Sequence, residues 1–152
     1  MADKDVLKAL RALVNVESMA VQIYRAQTWR FGGKPAIAEK MAHAIAVERE
    51  HRENLEARLK DLGGSTPMLR HAYALAGWVM MGFLPALFGK MVLLKVDIWV
   101  EEKAIRDYTA FLEKTPFDDQ TRALVEKNRG DEEEHVRYWQ DSIVLLKGPA
   151  PA

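Results

Sequence analysis

The chain has 152 residues, a formal net charge of zero and no cysteine. Its length suits one domain with a continuous core, and the balanced charge gives no electrostatic reason to expect a nucleic acid partner. The absence of cysteine excludes disulfides, zinc–thiolate sites and iron–sulfur clusters.

The first two predicted helices are long and end at glycines. Apolar residues at three-and-four spacing predict a first helix over residues 3–31. Gly32-Gly33 end it, and Pro35 suits the first turn of a second helix. We expect the second helix to reach Leu62, because Gly63-Gly64 follow.

The next segment is apolar and rich in helix breakers. Thr66-Pro67 predict the cap of a new helix, and the 18 residues between His71 and Lys90 are all uncharged. We predict a short apolar helix here, with a break near Pro85. The run is marginal for a transmembrane helix, which needs about 20 apolar residues, and the glycines and proline argue against a straight span.

Two further long helices complete the chain. We predict a third core helix over residues 88–114 and a fourth over residues 117–147. Thr115-Pro116-Phe117-Asp118 is interpreted as the loop and N-cap between them, with Pro116 at the first helical position. Residues 1–147 then form one domain, and residues 148–152 form a short tail.

One motif occurs twice at an offset of 84 residues. In each copy a glutamate precedes a Glu-x-x-His motif by 31 residues, and both copies also share Glu-x-x-Ala-x-x-x-Tyr. This is the ligand pattern of a dinuclear iron or manganese site in a ferritin-like bundle. We therefore predict an all-α, ferritin-like antiparallel four-helix bundle with an extra apolar helical segment between core helices 2 and 3. The predicted metal ligands are Glu17, Glu48, His51, Glu101, Glu132 and His135.

The helical phase of the six predicted ligands distinguishes them from charged residues on the protein surface. The six predicted ligands continue the apolar stripes of their helices, whereas Glu102, Glu133 and Glu134 align with charged neighbours. Glu50 fits the rim of the site, and His43 and His71 lack a Glu-x-x partner. Because unpaired buried carboxylates are costly, four of them require compensating cations.

Carboxylate oxygens with one imidazole per metal suit Fe(II) or Mn(II). Asp97 and Asp131 are candidate acceptors for the outer nitrogens of the ligand histidines. Tyr24 and Tyr108 lie two turns after a ligand glutamate on the same face. Each tyrosine either packs in the aromatic part of the core or lines a pocket near the metals. Tyr108 is the stronger candidate for the pocket.

The apolar segment carries more apolar surface than one bundle face needs. It fits either a buried helix or dimer interface, or a surface that dips into one leaflet and admits a lipid. The charged start, without a signal segment, favours the cytoplasm, so we expect a peripheral protein at the inner face of the cell membrane. The predicted membrane-facing residues are Trp78, Met81, Phe83, Leu84, Leu87 and Phe88.

Together these features resemble the demethoxyubiquinone hydroxylases, which are membrane-associated diiron monooxygenases. The resemblance rests on Glu17-Ser-Met-Ala-Val-Gln-Ile-Tyr24, Glu48-Arg-Glu-His51, the segment from Gly82 to Lys90, Val100-Glu101-Glu102, and Asp131-Glu132-Glu133-Glu134-His135. It implies the same six ligands, two iron ions, and a tyrosine at position 108 near the quinone. It also implies hydroxylation of a 5-demethoxyubiquinol-like ring by O2, with electrons from NADH or an external reductase.

Other functions fit the same ligands. Asn15-Val16-Glu17 and Lys95-Val96-Asp97-Ile98-Trp99 depart from the family's usual residues, so an oxygenase acting on another quinone or lipid is one alternative. A ferritin-like ferroxidase or iron-storage protein, a rubrerythrin-like peroxidase and a manganese catalase are others. A bundle that serves only in binding or assembly is disfavoured by the intact ligand set. A homodimer and an accessory lipid-binding partner are further hypotheses.

Overall fold

The structure is a computed structural model that describes residues 3–148, so most of the predicted tail lies outside the described residues. The described residues form helices joined by short turns and contain no strand, which confirms the all-α class. The helices are α1 Lys4–Gln27, α2 Pro35–Asp61, α3 Arg70–Gly77, α4 Leu84–Leu87, α5 Lys90–Lys114 and α6 Asp119–Lys147.

The four long helices lie within a few residues of their predicted bounds. A 3₁₀ turn at Thr28–Phe31 continues α1, so the helical segment ends at residue 31, where the first helix was predicted to end. The predicted loop and N-cap over residues 115–118 is confirmed, whereas the prediction of Pro116 at the first helical position was wrong. Asp118 is the N-cap, because its Oδ1 accepts a hydrogen bond from the Thr121 backbone at 2.9 Å, and Pro116 lies in the preceding loop.

The apolar segment is helical across Pro85, and the predicted break there was wrong. A π-helical turn, Trp78–Phe83, joins α3 to α4, and Pro85 lies in the first turn of α4. The wider π turn provides room for a proline ring, which would otherwise clash with the preceding carbonyl. The helix breaks instead at Gly89, whose φ of 112° is accessible to glycine but rarely to residues with a Cβ atom. The cap predicted at Thr66-Pro67 also lies upstream of the observed helix start.

The apolar segment packs closely against α1. A Cβ at Gly82 would lie 2.8 Å from the Ile23 carbonyl oxygen and 2.5 Å from Ala26 Cβ. Only glycine allows this approach without a shift of the backbone. The segment therefore lies along the bundle as an additional helical layer.

The apolar core is divided into two clusters along the bundle. One contains Leu10, Leu13 and Leu55 near one end, and the other contains Ile23 and Trp139 nearer the opposite end. Each of the four long helices contributes to both clusters. The residues between the clusters are buried but polar, and they form the candidate site.

Candidate metal centre

All six predicted ligand side chains meet at the middle of the bundle, between the two apolar clusters. Each is at most 1% exposed. All four long helices contribute, and each carries its predicted ligands at the same height along the bundle. The side chains are Glu17 from α1, Glu48 and His51 from α2, Glu101 from α5, and Glu132 and His135 from α6.

The ligand atoms form two groups that share two carboxylates. Within each group the candidate atoms lie within 4.8 Å of one another. Each group is completed by one further glutamate and one histidine, so the arrangement could hold two adjacent cations, with the two shared glutamates as the residues that would bridge them. The first group is Glu17, Glu48, His51 and Glu132, and the second is Glu48, Glu101, Glu132 and His135.

Both histidines direct Nδ1 toward the carboxylates. His51 Nδ1 lies 3.5 Å from Glu132 Oε1, and His135 Nδ1 lies 3.1 Å from Glu132 Oε2. On the outer side, His51 Nε2 lies 2.9 Å from Asp131 Oδ2. The structure thus places Asp131 where it orients the His51 ring.

Burial and charge shift the titration of the metal-free centre. Burial raises the pKa of Glu101 to about 7, and the Glu132 carboxylate adds to the shift. The pKa of Glu48 is raised for the same two reasons. Burial also acts to raise the pKa of Glu132, but the adjacent imidazoles of His135 and His51 outweigh it and hold the pKa at about 2. For both histidines burial opposes protonation, yet the surrounding carboxylates raise the pKa. Protons therefore take the place of cations in the metal-free centre.

The donor set fits two divalent cations. Both carboxylate oxygens of Glu48 and Nδ1 of His51 are buried and make no hydrogen bond to any residue in the described part of the chain. Buried polar atoms without partners are rare and call for an explanation such as a bound ion. Four carboxylates and two imidazoles suit Fe(II) or Mn(II). These residues would hold two such ions and neutralise their charge.

The two predicted tyrosines donate hydrogen bonds to ligand carboxylates. Tyr24 on α1 donates to Glu101, and Tyr108 on α5 donates to Glu17. The Tyr108 hydroxyl also accepts a hydrogen bond from Asn128 Nδ2 at 3.2 Å. Both tyrosines are fully buried. Their hydrogen bonds run between α1 and α5 and orient the carboxylates of Glu101 and Glu17, each of which belongs to one ligand group only.

Asp97 lies apart from the ligand histidines. Its Oδ1 accepts a hydrogen bond from Gln27 Nε2 at 2.7 Å, and both side chains are fully buried. Burial raises the pKa of Asp97 well above its usual value, and the negative charge of Glu101 adds to the shift. Asp97 lies one turn nearer the start of α5 than Glu101, so it reaches Gln27 on α1 instead of a ligand histidine.

Asp97→Asn is expected to stabilise the metal-free protein at neutral pH. Because the folded-state pKa of Asp97 is raised, the native chain holds a proton that the unfolded chain has lost, and stability falls as pH rises above about 4. Asparagine keeps the shape of the neutral acid without this loss. Urea unfolding at pH 4.5 and pH 7 should show a gain for the variant that grows with pH. An equal or smaller gain at pH 7 would contradict the prediction.

The remaining acids and histidines lie outside the cluster. Glu102 and Glu134 are exposed, and Glu133 pairs with Arg129 at 2.7 Å. Glu50 is an exposed residue 3.6 Å from Lys127 Nζ, which agrees with a place at the rim. His43 and His71 are also exposed.

A mostly apolar cavity of about 130 Å³ opens beside the ligands, between α1 and α5. Ala20 and Ala104 line it and leave room next to the carboxylates. Each is the alanine three residues after a ligand glutamate, so the repeated Glu-x-x-Ala spacing was the available signal for this cavity. Neither predicted tyrosine lines it. Further lining residues are Val16, Met19, Met81, Trp99, Val100, Lys103 and Asp107, together with four ligand glutamates.

The apolar segment leaves a large apolar surface uncovered. Five of the six predicted membrane-facing side chains are 36–77% exposed, whereas Met81 packs against the core and lines the cavity. Among the described helices, none combines the length and apolar character needed to cross a membrane. The exposed side chains are Trp78, Phe83, Leu84, Leu87 and Phe88.

Comparison with known families gives a match over most of the chain. Residues 5–141 match the family described as "Ubiquinone biosynthesis protein COQ7". A 3-demethoxyubiquinol 3-hydroxylase from Azoarcus sp. (strain BH72) is 32% identical over 121 residues, which is 79% of this chain. The matched region is 58% of the length of that relative.

Solved structures with the same fold are ferritin relatives. The bacterioferritin-related protein of Bacteroides fragilis has a TM-score of 0.79 at 20% identity, covering 95% of this chain and 87% of that one. Bacterioferritin BfrA of Mycobacterium tuberculosis has a TM-score of 0.72 at 22% identity, with 97% and 89% coverage. At such identities the similarity concerns the fold alone, and it confirms the predicted ferritin-like bundle.

Proposed function

The chain belongs to the COQ7 family of ubiquinone biosynthesis proteins, and on that premise we propose that it hydroxylates a demethoxyubiquinol-like ring with O2. The observation that supports this most directly is the contact between an apolar cavity and the ligand carboxylates. An iron-storage function needs no such cavity. An organic substrate needs one that leads to the metals.

The proposed reaction inserts one oxygen atom of O2 into a ring C–H bond. The other oxygen atom leaves as water, which requires two protons and two electrons from NADH or a reductase. Two ferrous ions held by the six ligands would supply the activation of O2. The protein's part is to hold the ring, exclude water and keep the ligand carboxylates in place.

The cavity matches the size and character of a quinone ring. Its volume of about 130 Å³ is of the order of a cavity that accommodates a benzene ring, roughly 150 Å³. Trp99 is half-exposed at the edge of the cavity, and Lys103 and Asp107 form an ion pair there at 2.5 Å. We propose that the ring lies against Ala20 and Ala104, with polar substituents toward the ion pair.

Ala104→Leu should separate substrate binding from metal binding. The leucine side chain would occupy the cavity beside Glu101, so we expect the product yield to fall at least about tenfold, because overpacking or excluding the ring costs more than about 1.4 kcal/mol. The bound metal should stay at two ions per chain, as measured by elemental analysis. Ala110→Leu, at a half-buried position of α5 that does not line this cavity, is the matched control. Unchanged turnover of Ala104→Leu would place the substrate elsewhere.

The decisive experiment follows the oxygen atom. Anaerobic protein with two Fe(II) per chain is mixed with a reduced demethoxyquinone analogue and a chemical reductant, and then exposed to ¹⁸O₂. We expect the recovered quinone to carry one labelled oxygen in the ring. Oxidation of the iron with an unchanged quinone would favour the iron-handling alternative instead.

We further propose that the exposed apolar surface rests on a membrane. Its large side chains lie on the segment that also supplies Met81 to the cavity, so a lipid-dissolved quinone could pass directly to the site. A lipid surface also gives these side chains an apolar environment. The location at the inner face of the cell membrane, a homodimer and an accessory lipid-binding partner stay predictions.

The double variant Leu87→Ser/Phe88→Ser should lose vesicle binding. These side chains are 58% and 77% exposed, and burial of a large apolar side chain contributes roughly 1.5–3 kcal/mol. We expect partitioning into anionic phospholipid vesicles to fall by more than about tenfold in a flotation assay. Val144→Ser/Leu145→Ser removes exposed apolar residues from α6 and should leave flotation unchanged. Equal losses in both variants would argue against a specific membrane face.

A further inference from the structure

The two halves of the metal centre are related by the 84-residue repeat. His51 and His135 occupy equivalent positions, and both direct Nδ1 inward. The tyrosines obey the same relation, since Tyr24 reaches Glu101 and Tyr108 reaches Glu17. Any difference between the halves therefore comes from residues outside the ligand set.

The outer nitrogens of the two histidines have different surroundings. His51 Nε2 lies 2.9 Å from Asp131 Oδ2, and Lys127 Nζ holds the same oxygen at 2.8 Å. Asp131 directly precedes the bridging Glu132. The residue 84 positions earlier, directly before the bridging Glu48, is Val47.

Val47 cannot accept a hydrogen bond. It is half-buried, as Asp131 is, so the two positions are equivalent in burial as well as in their place in the 84-residue repeat. All contacts of His135 with carboxylates in the described part of the chain are made by Nδ1. His135 and Val47 both line a polar pocket of about 220 Å³, together with His43, Asp131 and Glu134 among others.

An acceptor behind a ligand histidine raises its basicity and fixes its ring, and loss of such an acceptor typically lowers metal affinity about 10–100-fold. We infer that the half-site of His135 and Glu101 binds its metal more weakly than the half-site of His51 and Glu17, because Val47 stands where an acceptor would be. Asp131 is then a positioning residue for one metal only. This inference rests on the proposed dinuclear metal centre.

Co(II) titration of the metal-free protein tests the inference, with visible absorption as the readout. Because the bridging carboxylates couple the two sites, the half-sites are compared in separate variants. Glu17→Gln leaves the His135 half-site, and Glu101→Gln leaves the His51 half-site. We expect the affinity of the first variant to be about 10–100-fold lower than that of the second.

Val47→Asp should remove most of the difference. In the Glu17→Gln background it is expected to raise Co(II) affinity about tenfold or more, whereas Val47→Ala, which only removes bulk, should not. Asp131→Val in the Glu101→Gln background should lower affinity to a similar degree. Circular dichroism checks that each variant keeps its helices.

Equal affinities of the two half-sites would overturn the inference, and so would a Val47→Asp variant that behaves as Val47→Ala does. If Co(II) binds neither the unmodified protein nor any variant, the dinuclear centre itself is wrong, and the proposed function fails with it. These results differ in which titrations show binding, so the two failures are distinguishable.

Discussion

Glu132→Gln is expected to weaken binding of both metal ions by more than about 100-fold and to abolish hydroxylation. Glu132 belongs to both ligand groups, and it contacts both histidines. Glutamine keeps the size of the side chain but cannot bridge two cations as an anion. Loss of an outer-shell partner alone costs about 10–100-fold in affinity, and a bridging ligand should cost more.

Non-bridging and surface glutamates supply the controls. Glu17 belongs to one group only, so Glu17→Gln should retain about one metal ion per chain after desalting, as measured by elemental analysis. Glu133→Gln alters the neighbouring residue, which pairs with Arg129 outside the cluster, and should retain two. Two ions retained by Glu132→Gln would contradict the bridged arrangement.

The fold and the ligand cluster could be predicted because both follow from the helical phase of single residues and from the spacing between motifs. A residue such as Glu101 continues an apolar stripe, and on a helix of regular pitch this fixes the direction of its side chain. The 31-residue interval then brings two antiparallel helices to one level. The six side chains accordingly meet in the structure.

Contacts between distant helices could not be read in the same way. Tyr108 was a candidate for the pocket, but its hydroxyl reaches across to Glu17. Asp97 was a candidate acceptor for a histidine, yet it meets Gln27. Both results depend on the lateral offset and rotation of α1 against α5, and no spacing within one helix encodes these quantities.

The π turn before Pro85 escaped prediction for a different reason. Proline usually ends or kinks a helix, so a break was the ordinary expectation. The close contact of Gly82 with Ile23 and Ala26 holds the segment along α1, and the wider turn lets the helix continue past the proline. Tertiary packing here overrides a local rule.

Removal of metal is expected to lower the stability of the protein strongly. A ligand that binds only the folded state at 1,000 times its dissociation constant stabilises it by about 4 kcal/mol. For a domain of this size that corresponds to roughly 8–16 °C in melting temperature for each occupied site. Thermal unfolding followed by circular dichroism, with and without Mn(II), measures the difference.

The stabilisation by metal should also increase with pH. The pKa of Glu101 is raised to about 7 in the metal-free protein, so between about pH 4.5 and 7 the folded chain holds a proton that the unfolded chain lacks. Over that window the contribution of Glu101 to metal-free stability falls as pH rises. Metal must displace this proton and those on the histidines, so its affinity is lower in acid. The shift in melting temperature should therefore be larger at pH 8 than at pH 6, and it should vanish in Glu132→Gln. An equal shift in that variant would mean that the metal stabilises the protein from another site.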